Sequence, residues 1–197
     1  MEIAVLLFDD FETLDVFGPV EIFGRLIELY TIKFYSLNGG QIKNRHGVSI
    51  LTETLENINH DLEIFLIPGG PGTRKEVDNK LLIDKIREIS NFSKYVLTVC
   101  TGSALLARTG LLDNKNATSN KRAFKWVTTN GPNVLWNKKA RWTVDGKFYT
   151  SSGVSAGMDM ALGFLSDRQG IEFARKVAFE IEFNWTEDKN NDTFKAD

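Results

Sequence analysis

The sequence is poor in the residues that carry most metal and disulfide chemistry. Its 197 residues include one cysteine, Cys100, and two histidines, His46 and His60. A single cysteine excludes an internal disulfide framework, and with no CxxC and no Cys/His cluster there is no ligand set for zinc. No metal and no other cofactor is expected. Neither sign of charge dominates, since 24 Lys and Arg stand against 26 Asp and Glu for a net charge of -2. Nothing in that balance points to a nucleic-acid partner. Long hydrophobic runs are also missing. Ile3-Ala4-Val5-Leu6-Leu7-Phe8 follows directly on the first two residues, too short to span a bilayer and without the basic segment and cleavage site of a signal peptide. The expectation is a cytoplasmic protein with neither nucleic acid nor membrane as partner.

What is present is ordinary in bulk. Hydrophobic residues are 42% and charged residues 25%, enough apolar material for one domain over residues 1–197. Apolar runs at Ile3 to Phe8, Leu62 to Ile67 and Tyr95 to Val99 read as strands buried on both faces. Thr31 to Leu37 alternates as a further strand. Asn38-Gly39-Gly40 is a turn, and Gln41 to Asn44 with Val48 to Thr52 form a hairpin or edge excursion with His46-Gly47 at its tip. His60 falls in a polar surface connection. Helical spacing runs from Leu14 to Leu29, with Val16, Phe17, Val20, Phe23 and Ile27 inward and Pro19 in the first turn. It recurs over Asn79 to Phe92, Thr101 to Arg108, Lys121 to Thr129, Ser155 to Phe164 and Ile171 to Phe183. Trp142-Thr143-Val144 and Phe148-Tyr149-Thr150 flank the hairpin turn Asp145-Gly146. The tail from Glu187 is polar and is expected to fray. Strands alternating with helices predict an α/β fold with a mainly parallel sheet.

Three stretches that follow strands can carry chemistry. Cys100 sits where the Tyr95 to Val99 strand meets the next helix, in the manner of a nucleophile elbow. A helix N-terminus favours thiolate over thiol, and the N–H groups of Thr101 and Gly102 can hold an anion beside the sulfur. A lone cysteine is equally a small buried hydrophobe. Asp15 opens the first helix, either as a first-turn acid against the dipole or as a site acid. Pro68-Gly69-Gly70-Pro71-Gly72 is either a tight turn or a second set of N–H donors facing the elbow. It lacks the GxxxxGK[ST] and GxGxxG patterns, which disfavours nucleotide binding. Ligands in open α/β sheets bind outside the carboxyl ends of the strands. Asp15, Gly69-Gly70 and Cys100 are therefore expected in one pocket, with Phe11, Phe17, Trp126 and Trp142 as candidate walls.

Leu14-Asp15-Val16-Phe17-Gly18-Pro19-Val20-Glu21-Ile22-Phe23, Ile67-Pro68-Gly69-Gly70, Val99-Cys100-Thr101-Gly102-Ser103, Thr109-Gly110-Leu111-Leu112 with Ala117-Thr118, and Ser152-Gly153-Val154-Ser155-Ala156-Gly157-Met158-Asp159 occur in this order. Together they resemble the ThiJ/PfpI superfamily, and the Leu-Asp-x-x-Gly-Pro start with the Cys-Thr-Gly elbow resembles its isonitrile hydratase branch. The resemblance implies a class I glutamine amidotransferase-like fold: a flavodoxin-like three-layer sandwich, its mainly parallel sheet carrying helices on both faces. It also implies a homodimer with the site near the interface, and a small-molecule substrate. The catalytic residues it implies are Cys100, Asp15 and Thr101, with Gly69, Gly70 and Gly102 as oxyanion or substrate-binding donors. Cys100 would attack the isonitrile carbon. Asp15, its pKa raised by burial and the nearby thiolate, would act as general acid and then activate the water that releases an N-substituted formamide.

Two positions depart from the family pattern. Thr101 stands where protease-like members carry a histidine after the cysteine. The stretch after Ala117-Thr118, often His-Trp, reads Ser119-Asn120-Lys121. Without a Cys-His dyad a peptidase is disfavoured. Three readings stay open beside the hydratase. One is a glyoxalase- or deglycase-like activity on small dicarbonyls, whose members generally carry glutamate where Asp15 stands. Another is a non-catalytic cysteine redox or small-molecule sensor. The third is a regulator's ligand domain, against which stands the lack of a DNA-reading module or basic patch.

Overall fold

The computed structural model describes residues 1–195. The chain opens with β1 (Glu2–Leu6), α1 (Thr13–Gly24), β2 (Thr31–Ser36), β3 (Gly40–Lys43) and β4 (Ser49–Thr54). It continues through β5 (Leu62–Ile67), α2 (Thr73–Glu76), α3 (Lys80–Phe92), β6 (Tyr95–Thr98) and α4 (Gly102–Arg108). Then come β7 (Asn116–Ala117), α5 (Phe124–Thr129), β8 (Leu135–Trp136), β9 (Trp142–Asp145) and β10 (Phe148–Ser151), and last α6 (Ala156–Gln169) and α7 (Ile171–Glu180). Eight strands form one sheet in the order β3-β4-β2-β1-β5-β6-β10-β9. The strands from β4 to β10 in that order are parallel, and β3 and β9 close the two edges antiparallel.

The three apolar runs become central strands because both of their faces are covered. Ile3 to Leu6 of β1 and Ile64 to Ile67 of β5 are all buried, and each fully buried aliphatic side chain stabilises the fold by about 1.5–3 kcal/mol. The β1–α1–β2 crossover steps one way along the sheet and the β5–α3–β6 crossover the other. Right-handed connections then place their helices on opposite faces. Accordingly α1, α6 and α7 pack together, while α4 packs against α2, α3 and α5. This is the three-layer, flavodoxin-like α/β arrangement. The direction in which strands are added reverses between the parallel neighbours β1 and β5, and the carboxyl ends of β1, β5 and β6 meet there, where such sheets form a ligand crevice.

Two expectations are corrected. The first helix ends at Gly24, and Pro19 lies inside it rather than in its first turn. Its buried residues are Asp15, Val16, Gly18, Pro19, Ile22 and Phe23, and turn hydrogen bonds from Leu26 to Tyr30 replace the helix beyond Gly24. Ile27 is consequently 75% exposed. The tail does not fray from Glu187. Arg141 N–H donates to the Lys189 carbonyl at 2.8 Å, and Asp192 N–H to the Lys139 carbonyl at 2.7 Å. Buried Asp192 lies 3.5 Å from the Arg141 guanidinium, whose other face holds Asp159 at 2.6 Å. A buried charge needs a paired partner, and the tail supplies one for Arg141. The last two residues of the tail lie outside the described residues.

Candidate active site

The site forms where the segments following β1, β5 and β6 converge. Cys100 occupies the turn between β6 and α4 with φ at +57 degrees, a left-handed conformation that costs a non-glycine residue of order 1–3 kcal/mol. The surrounding hydrogen bonds hold it there. Its N–H donates to the Ser152 carbonyl at 3.1 Å. Its carbonyl accepts from Ser119 Oγ at 2.7 Å and Ser103 Oγ at 3.1 Å. The residue forms part of the floor of a cavity of about 590 Å³ lined by Glu12, Arg45, Gly70, Pro71, Arg74, Thr101, Asn120, Arg122, Ala123 and Val154.

Asp15 is fully buried beneath this floor. It is not a dipole-facing cap: its Oδ2 accepts the Gly69 N–H at 2.9 Å. Oδ1 is buried with no hydrogen-bond partner among the described residues, and the Cys100 thiol is near enough to act on the carboxyl's titration. Desolvation pushes the Asp15 pKa up to about 8, with Glu12 adding to it and the Gly69 N–H opposing. Asp15 is therefore largely a neutral acid at pH 7.

The donors expected of the glycines are spent within the fold, which corrects that expectation. Gly69 N–H is taken by Asp15, Gly70 N–H donates to Thr101 Oγ1 at 3.0 Å, and Gly102 N–H donates to the Val99 carbonyl at 2.9 Å. Thr101 Oγ1 also receives Thr73 Oγ1 at 3.1 Å, so it fastens the glycine loop to the elbow. Close approach explains why these positions are glycine. A Cβ on Gly69 would lie 2.5 Å from Thr101 N and 2.8 Å from Asp15 Oδ2.

The sulfur is instead served by the N–H groups of Thr101 and Val154 and by the Asn120 side chain, all of which favour the thiolate. Burial outweighs them, and the Asp15 charge acts in the same direction as burial, so the Cys100 pKa is raised. The expectation of a lowered thiol pKa at a helix N-terminus is thus reversed, because the sulfur is desolvated and lies beside the Asp15 carboxyl. Val154, with φ at +48 degrees, is a strained β-branched residue inside the Ser152 to Asp159 motif, to which the sequence assigned no role in the site. Asn120 was legible only as part of Ser119-Asn120-Lys121, the stretch that departs from the His-Trp of the family pattern. None of Phe11, Phe17, Trp126 and Trp142 lines the cavity. Phe11 is core, and Trp142 borders a separate groove with Trp185. Neither histidine lines it either. His46 Nδ1 bonds Thr13 Oγ1 at 2.8 Å near the Glu12 edge, and His60 stacks on Phe92.

The model of the DJ-1/PfpI family matches residues 1–167. The chain is 28% identical to isonitrile hydratase of Pseudomonas putida over 190 residues, 93% of this chain and 78% of that protein. It is 26% identical to the HTH-type transcriptional regulator GbdR of Pseudomonas aeruginosa over 89% of this chain, spanning 49% of the regulator's length. Among solved structures, a ThiJ/PfpI family protein from Pseudomonas syringae superposes with a TM-score of 0.82 at 26% identity, over 93% of this chain and 75% of that one. Drosophila melanogaster DJ-1beta shares the fold with a TM-score of 0.77 at 21% identity, over 93% of this chain and 98% of that one.

Proposed function

The chain belongs to the DJ-1/PfpI family, and on that premise we propose that it is a cysteine-dependent enzyme acting on a small electrophile, with isonitrile hydration to an N-substituted formamide as its reaction. The buried acid beneath the only thiol carries this reading. Asp15, protonated at neutral pH, gives a proton to the isonitrile carbon as the Cys100 sulfur bonds to that carbon, and takes up the proton the thiol releases. The product is a thioimidate, R–N=CH–S–Cys100. Water adds to its carbon, a proton goes to nitrogen, and the carbon–sulfur bond breaks to leave R–NH–CHO and the free thiol. Thr101 positions the glycine loop, and the N–H groups facing the sulfur stabilise charge that develops on it. With both histidines outside the cavity lining, peptide cleavage has no imidazole to use. Formamide appearance followed by mass spectrometry tests this. Cys100→Ser and Asp15→Asn should each lower kcat/KM at least about 100-fold. Full hydration by folded Cys100→Ser would sink the mechanism.

A second reading is favoured by the regulator that matches 89% of this chain and by the raised thiol pKa: a ligand-binding domain without turnover. Saturable binding of a small molecule that leaves it chemically unchanged would support that one instead. The homodimer implied by the family resemblance is consistent with Leu14 at 38% and Phe17 at 36% exposure on α1. A monomer mass in sedimentation equilibrium would remove it.

A further inference from the structure

The cavity over Cys100 carries a charge pattern that the hydration of a neutral isonitrile does not use. Three arginines line it, Arg45, Arg74 and Arg122, against one carboxylate, Glu12. Arg45 is partnered, lying 3.6 Å from Asp10. Arg74 and Arg122 form no ion pair among the described residues, whereas Arg25, Arg87, Arg108, Arg141 and Arg175 all do. The other arginine without a carboxylate partner there, Arg168, is held by the Tyr149 hydroxyl. Among the described residues, two of the three guanidinium groups without an ion pair thus open onto the cavity of the reactive sulfur.

Arg74 is held in place rather than free. Its guanidinium lies 3.9 Å from the centroid of the Trp126 ring, and its Nη1 donates to Thr73 Oγ1 at 3.2 Å. Thr73 in turn bonds Thr101 of the elbow. The indole and the Thr73 hydroxyl restrain the guanidinium, and a guanidinium fork matches a carboxylate or phosphate. The Cys100 charge acts on the Arg74 titration, so the guanidinium is within electrostatic reach of the sulfur.

We propose that this cavity selects a small electrophile bearing an anionic head, a carboxylate or a phosphate, received by Arg74 and Arg122 while its reactive carbon meets Cys100. This names the substrate class of the reaction above and rests on that reading for the chemistry, but not for the binding.

Because Cys100 is the only cysteine, its alkylation can be read by intact mass without any assumption about substrate. Iodoacetate and iodoacetamide are near-isosteres that differ by one negative charge. The ratio of their labelling rates at Cys100 is expected to exceed the ratio measured on free cysteine more than fivefold. It should fall back towards the free-cysteine ratio in Arg74→Gln/Arg122→Gln, with the iodoacetamide rate reporting that the thiol is still accessible. Acetate or inorganic phosphate should slow the iodoacetate reaction, and the stronger competitor identifies the head group. A wild-type ratio within fivefold of free cysteine, a ratio unchanged in the double variant, or competition by neither anion would overturn the inference. A separate arm compares a carboxylate-bearing isonitrile with its methyl ester, the acid expected to have the higher kcat/KM. Turnover of neither with the iodoacetate preference intact would refute hydration and leave the anion site standing.

Discussion

Asp15 is a carboxyl whose ordinary pKa of 3.8 is moved to about 8 by burial. Between those values the folded protein keeps a proton that the unfolded chain releases. The native state binds more protons, so its stability falls as pH rises from about 4 to about 8. Asp15→Asn cannot ionise. Relative to the parent chain it should therefore gain stability between pH 4 and pH 8, by several kcal/mol at about 1.4 kcal/mol per pKa unit. Urea unfolding at the two pH values measures this, and a pH-independent difference would mean that Asp15 titrates normally. The same ionisation removes the general acid, so kcat/KM should decline above about pH 8. At this scale the family resemblance implied the raised pKa of Asp15, whereas the helix-terminus argument gave the wrong direction for the Cys100 thiol. An aspartate opening a helix is usually a dipole partner. Only the packing of α1 against the glycine loop turns it inward and strips its water.

The elements that bring these groups together are short and touch backbone to backbone. The Gly69-Gly70 loop lies against the elbow with no room for a side chain, so Gly69→Ala must displace Thr101 or Asp15. Such a shift is expected to lower kcat/KM by about 100-fold and to cost about 1–3 kcal/mol through overpacking. Gly24, at the end of α1, has nothing within 4 Å of the position a Cβ would take. Gly24→Ala should leave activity unchanged and raise stability by a few tenths to about 1 kcal/mol. Thermal unfolding with initial rates on both variants separates the two cases. The central strands and α3 were legible because both rest on one-dimensional periodicity. β5 spans Leu62–Ile67 as read, and Asn79 caps α3 as its side chain accepts from Leu82 N–H. The end of α1 was not legible. Its apolar spacing continues to Ile27, and hydrophobic periodicity does not register where tight turn bonds take over.

Across the whole molecule, the tail from Glu187 closes over the Arg141 end of the sheet. Arg141 and Lys121 are both buried, and Asp192 faces them from the tail. Asp192→Ala leaves Arg141 with Asp159 alone and is expected to destabilise the fold by about 3 kcal/mol, as a lowered midpoint in urea. An unchanged midpoint would mean that the tail is not part of the cooperative unit. Lys121 lies beside Asn120 and Arg122 in the chain, so the same anchor sits next to two residues of the cavity. By itself the sequence determined the α/β class, the parallel sheet and the meeting of Asp15, Gly69-Gly70 and Cys100 at its carboxyl edge. Periodicity and the position of loops after strands are local properties, and they are enough for that. Only the tertiary structure decided that the glycine donors are spent, that burial raises the thiol, and that two arginines without an ion pair among the described residues line its cavity. Desolvation, hydrogen-bond assignment and through-space charge depend on residues far apart in the chain, and no local pattern encodes them.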